Sequence, residues 1–200
     1  MSVAGTAGHE GVIAEAQARF NKYTAGDKSA IHPNLRLAVF RIAIAEGGED
    51  ALDAVFKEYI NTTTVDGREI CLASFGRARN PECIRRVLDL IISSKVKVQD
   101  KHTPAIALSN NADARYELWK FIQENWKTLF GQMSGNMVVL DRFLKNSLNK
   151  FPSAARWRRL RLSLRTRITL DTTRVLRSFV IPFRAMLGLL RERRPRCWSG

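Results

Sequence analysis

Apolar residues return at helical spacing through the first three quarters of the chain, between joints of glycine, proline, serine and threonine. Val12, Ile13, Ala16 and Phe20 predict an amphipathic helix from His9 to Tyr23. Leu37, Phe40 and Ile44 predict a second, opening at Pro33 and stopping at Gly47-Gly48, with proline at the start and glycine at the end. Leu52, Val55, Phe56 and Tyr59 carry a third over Ala51 to Ile60, which the β-branched run Thr62-Thr63-Thr64 interrupts. Asp66 with Glu69 resembles a capping box and predicts a helix start there, with Ile70, Ala73 and Phe75 inward.

The clearest helix start is Asn80-Pro81-Glu82: a capping side chain, a proline where no N–H is needed, and an acid at the positive end of the helix dipole. Ile84, Val87, Leu88 and Ile91 then share one face. A polar joint from Ser93 to Asp100 leads to a short helix near Thr103-Pro104. One long helix should hold Leu118, Trp119, Ile122, Trp126 and Leu129 on a stripe, which makes the two tryptophans core residues. A last helix over Asn136 to Leu148 turns Met137, Leu140, Phe143 and Leu144 inward. Helix starts near 33, 50, 66 and 80 give about two helices per 30–35 residues, the bookkeeping of stacked helix pairs. The expected fold is all-α, antiparallel helix pairs stacked as a HEAT- or armadillo-like α-solenoid. No repeat in side-chain identity accompanies that spacing, so a globular helical array stays open.

Charge divides the chain. Of the 33 Lys+Arg in its 200 residues, 13 arginines and no lysine fall in 151–200, beside only Asp171 and Glu192. Residues 8–151 therefore read as a helical domain of ordinary charge and 152–200 as an arginine-rich tail outside the fold and poorly ordered. From Arg159 to Ile168 the tail alternates with period two; from Val175 to Arg194 it is apolar, studded with arginine and broken by Pro182. Two readings compete. A shifted reading frame or misread intron explains arginine without lysine. A basic arm over Arg156–Arg196, with Trp157 and Trp198 stacking on bases, would bind nucleic acid or an anionic membrane. No nucleic-acid-binding motif frames those residues, which favours the first. The N-terminus lacks the basic and apolar regions of a secretory signal, and no apolar run spans a bilayer. Cys71, Cys83 and Cys197 are odd in number and without metal spacing, so they read as reduced thiols in a cytoplasmic protein.

Candidate chemistry is sparse. His9-Glu10 begins the zinc pattern His-Glu-x-x-His, but Ile13 stands where the second histidine belongs, and His32 and His102 lie in unrelated joints. No glycine-rich phosphate loop or Gly-x-Ser-x-Gly elbow occurs. Asp50, Asp53, Glu117 and Glu124 read as surface charges, with Glu117 and Lys120 a solvated helix pair. No catalytic and no metal-binding residue is assigned.

Gly8-His9-Glu10, Ile31-His32-Pro33-Asn34-Leu35-Arg36, Gln99-Asp100, and Leu118-Trp119-Lys120-Phe121 followed by Glu124-Asn125-Trp126 resemble, in order and spacing, the C-terminal helical domain of the aminopeptidase N family of zinc aminopeptidases. The nearest likeness is to the puromycin-sensitive and fungal alanine/arginine enzymes, over Gly8 to about Phe151. The resemblance implies a curved bowl that encloses substrate and regulates a peptidase removing N-terminal residues, with the catalytic domain and peptide substrate as partners. It places zinc in the parent enzyme and not in this N-terminally truncated piece: the family's zinc triad and Gly-x-Met-Glu-Asn loop have no counterpart, and Asn136 and Met137 do not reproduce that loop. It points to Phe75, Arg77, Gln99, Asp100 and Lys101 as the wall of a peptide cavity, with Arg77 or Lys101 attracting a peptide's terminal carboxylate. The same residues also read as plain loop residues capping helices. The alternative for the whole chain is a standalone helical-repeat scaffold that binds a protein partner.

Overall fold

The computed structural model describes residues 8–148 and 150, which lie in the first of two units into which the chain divides after Phe151. The arginine-rich tail, and every expectation placed on it, lies outside the described residues. Eight α-helices and four short 3₁₀ turns account for the described elements, with no strand among them. The helices are α1 (Glu10–Thr24), α2 (Arg36–Asn61), α3 (Val65–Ser74), α4 (Pro81–Ile92), α5 (His102–Ser109), α6 (Arg115–Glu124), α7 (Trp126–Met133) and α8 (Met137–Leu148). None is long and apolar enough to cross a membrane.

Local chemistry sets most of these bounds. Asn80 caps α4 as its sequence announces: its side chain accepts from the Glu82 N–H at 2.9 Å and Pro81 follows. The expected stop at Gly47-Gly48 is a kink that joins two helical stretches into α2. Gly48 holds φ +57° and ψ −129° there, a backbone shape that side-chain-bearing residues avoid. The start of α3 lies two residues before the expected one. Thr64, in extended conformation, is the cap, and its hydroxyl accepts from the Gly67 N–H at 3.1 Å. The single long tryptophan helix is broken at Asn125 (φ −102°, ψ 17°) into α6 and α7; the Asn125 side chain donates to the Phe121 carbonyl at 3.0 Å.

Burial follows the apolar periodicity fully in α4, whereas Val12, Ile13, Leu37, Phe56, Ile70 and Ala73, expected inward, are only half-buried. Trp126 enters the core, but Trp119 is only half-buried and Phe121 takes the inward place beside Leu118 and Ile122. Met137 is exposed, because α8 begins there and Leu140 is its first inward residue. Phe75 ends up beyond α3, in the 3₁₀ turn Phe75–Arg77, though fully buried.

Packing is carried by a few interlocking contacts. Helix α1 meets α2 through Phe20 and Tyr23, whose rings lie edge-on to Phe40 at 5.7 and 5.5 Å. Helix α2 packs on α3, and α3 on α5; α5 then packs on α8, and α4 on α6. Helix α5 is hence enclosed although only eight residues long. Ala105 and Leu108 are fully buried, and the Ser109 hydroxyl reaches the Asn146 carbonyl at 3.1 Å.

Candidate functional site

The turn Phe75–Arg77 presents its arginine on an anchored backbone. Phe75 is the inner anchor, fully buried with its ring 5.5 Å from that of Phe56. Gly76 presses onto α5: a Cβ placed there would stand 2.4 Å from the Ala107 carbonyl carbon, so glycine is required by the approach of one backbone to another. Asn111, just past the end of α5, also ties the turn, donating from one amide nitrogen to the Gly76 carbonyl at 2.9 Å and the Ala78 carbonyl at 2.6 Å. Beyond it Arg79 pairs with Glu46 at 3.0 Å. Between these fixed points Arg77 is half-buried and, among the described residues, forms no ion pair.

Its neighbour is a second cation. The turn packs against α2, and burial, with the charge of Arg77 added, lowers the pKa of Arg41. The Arg41 Nε is buried without a hydrogen-bond partner. Arg36 also has an unpartnered buried Nε, but it lies 5.5 Å from the Tyr23 ring and within the field of Glu58. Arg41 feels the positive charge of Arg77 with no acid countering it, and its Nε is a donor to spare. That chemistry suits a carboxylate or phosphate oxygen pair.

The second loop behaves differently. The turn Val98–Asp100 leaves Gln99 exposed and Asp100 half-buried, but Lys101 is 2% exposed. Its ammonium donates to the Ile91 carbonyl at 2.5 Å and the Ser93 carbonyl at 2.8 Å, and burial lowers its pKa to about 8. It closes the C-terminal end of α4 and offers no charge to solvent. Of the five residues named from sequence, Phe75 and Lys101 are buried, Arg77 and Asp100 half-buried and Gln99 exposed. The arginine turn touches Ala107 near the C-terminal end of α5, whereas Lys101 stands at its N-terminal end, roughly 9 Å away along the axis. Sequence reading missed Arg41 and Asn111. Arg41 carried a usable signal, a cation between Phe40 and Ile42 in the apolar stretch of α2. Asn111, in a polar corner among other polar residues, carried none.

The described residues do not fit a zinc site. No three His, Cys, Asp or Glu among them come together. His9 is exposed at the start of α1, His32 accepts from the Asn34 N–H, and the His102 Nδ1 lies 2.7 Å from the Gln99 carbonyl. Cys71 and Cys83 are free and buried, and burial pushes the Cys71 thiol up to about 12.

Comparison with known proteins gives these helices a context. The family described as ERAP1-like C-terminal domain matches residues 1–178. Aminopeptidase 2 of Candida albicans is 35% identical over 119 residues, 59% of this chain and 13% of that protein. Aminopeptidase N of Homo sapiens is 28% identical over 126 residues, 62% and 13% of the two chains. Alanine/arginine aminopeptidase of Saccharomyces cerevisiae is 28% identical over 152 residues, 76% and 18%. The chain thus spans between 13% and 18% of the length of these relatives.

Proposed function

This chain belongs to the ERAP1-like C-terminal domain family, and on that premise we propose that it is the substrate-enclosing, regulatory domain of a cytoplasmic zinc aminopeptidase that removes N-terminal residues from peptides. The family match over residues 1–178 carries this reading. The zinc of such an enzyme is assigned to polypeptide other than the described residues, whose donors do not fit it, and no chemical step is given to them. Their part is to bind and orient. Arg41 and Arg77 hold the C-terminal carboxylate of a peptide. The helices form a two-layer stack curved into a bowl. The packing of α3 on α5 and α5 on α8 along one layer, and of α4 on α6 along the other, supports that arrangement. The catalytic domain closes over the bowl, so peptide length is measured between the metal centre and the arginine pair.

An N-acetylated decapeptide with a free C-terminus and the same peptide as its C-terminal amide, titrated calorimetrically into the chain, test the reading. The free acid should bind about tenfold more tightly, the worth of one charge-assisted hydrogen-bond pair, and Arg77→Glu should abolish the difference. In the full-length enzyme Arg77→Glu should also flatten the preference for long over short peptides. Equal binding of acid and amide by the unaltered chain overturns the assignment.

A further inference from the structure

The hydrogen bonds on either side of Arg77 point to a residue that governs it without touching an anion. We propose that Asn111 is the positioning residue of the arginine pair, its carboxamide clamping the peptide carbonyls on both sides of Arg77 so that the corner between α5 and α6 sets where the guanidinium stands. This rests on the reading of Arg41 and Arg77 as a carboxylate site.

The bonding of Asn111 is saturated. Its amide nitrogen gives both hydrogens to the turn, one to Gly76 and one to Ala78. Its side-chain oxygen accepts from the Asp113 N–H at 3.0 Å, which fixes the carboxamide plane. Its backbone is held as well: the Asn111 N–H donates to Leu108 and its carbonyl accepts from Arg115. One side chain thus joins the C-terminal end of α5 to carbonyls 35 and 33 residues earlier. The Gly76–Ala107 approach, four residues earlier along the chain, leaves the turn no room to move toward α5. Held by this stop and the clamp, the Arg77 backbone is fixed against α5. Two long flexible guanidinium side chains bind a carboxylate together only when their backbones are held at a fixed separation, since ordering them otherwise costs the rotamer entropy the contact returns. A shift of the α5–α6 corner is thereby a shift of the anion site, and a partner docking on that corner would tune peptide affinity.

The test compares acid and amide forms of the N-acetylated peptide on the full chain. In the unaltered protein the Asn111 side-chain amide resonances should move with the acid and stay still with the amide, a readout that needs no substitution. Asn111→Ala should reduce the acid-over-amide ratio about fivefold, the worth of the lost hydrogen bonds, in protein still helical by circular dichroism. Asn111→Gln, which keeps both donors on a longer arm, is the second variant and should also lower the ratio. Ser109→Ala, which removes a neighbouring bond between helices, should lower stability and leave the ratio unchanged, separating positioning from general loosening. Folded Asn111 variants that keep the full ratio, or Asn111 resonances indifferent to the acid, overturn the proposal. If the unaltered chain does not tell acid from amide, the carboxylate reading itself fails. If it does, and Arg77→Ala removes the distinction while Asn111 variants do not, only the positioning role fails.

Discussion

The Nζ of Lys101 lies 2.5 Å from the carbonyl oxygen of Ile91. That contact fastens the start of α5 to the end of α4, and it does not act alone. Lys101 also donates to Ser93, and Gln132 of α7 donates to the Ile92 carbonyl at 2.8 Å. Three consecutive carbonyls left unpaired by the end of α4 are thus met by side chains from elsewhere in the fold. A cation suits that place, because the C-terminal end of a helix is its negative end. Burial works against the charge and lowers the pKa to about 8.

Lys101 should make stability depend on pH in the alkaline range. The folded-state pKa lies below the ordinary 10.5, so between those values the unfolded chain holds the proton more tightly, and raising the pH favours the folded state. Relative to Lys101→Met, the unaltered chain should gain about 3 kcal/mol between pH 7.5 and 10.5. Urea unfolding of both proteins across that range measures the gap; a constant gap refutes the buried-ammonium account.

The Thr64 cap stands two residues before the Asp66 start expected from sequence. Thr64→Ala should cost about 1 kcal/mol, the usual worth of an N-cap hydroxyl. Asp66→Ala, which removes the other side-chain oxygen, should cost less than about 0.5 kcal/mol. Thermal melts of the two variants decide; the opposite order would return the cap to Asp66.

The arginine turn has no space for side chains that change its packing. Gly76→Ala forces a Cβ against Ala107 and should cost about 2 kcal/mol or more. Phe75→Ala removes a fully buried ring and should cost about 3–5 kcal/mol. A Phe75→Ala variant of near-normal stability would show that the ring lines open space instead.

Glu58 should contribute most at neutral pH. Burial alone would raise its pKa, but hydrogen bonds from Lys28 and Tyr23, both at 2.6 Å, outweigh this and the carboxyl is lowered overall. A carboxylate lowered on folding stabilises above its ordinary pKa and loses that contribution as pH falls through the folded value. Glu58→Gln should therefore cost about 1–3 kcal/mol at pH 7, with the difference closing toward pH 3. A pH-independent difference would mean the charge plays no part.

Much of the fold was legible because its causes are short-ranged. The α4 start was written in three adjacent residues, and the buried faces of α1, α2 and α4 in apolar spacing within one helix. The errors arose where a local rule had two solutions. Thr64 and Asp66 both offer a capping oxygen, and in the fold it is the threonine that accepts from the Gly67 N–H. Asn125 interrupts a stripe that stays apolar on both sides, so periodicity gave no warning of the break. Trp119 and Phe121 are both large and apolar, and the roll of α6 against α4 decides which goes inward.

The candidate site was legible only in part for the same reason at longer range. Arg77 and Lys101 look equivalent as cations in polar joints. The fold separates them, because Lys101 reaches back ten residues to a helix end while the charge of Arg77 bears on an arginine of another element. Sequence alone determined the all-helical class, most helical spans, the Asn80 cap and the family, since these depend mainly on neighbours within one or two turns. Which cations are spent on holding the fold and which remain for an anion was decided by tertiary packing, because burial and pairing are set by residues that chain order keeps far apart.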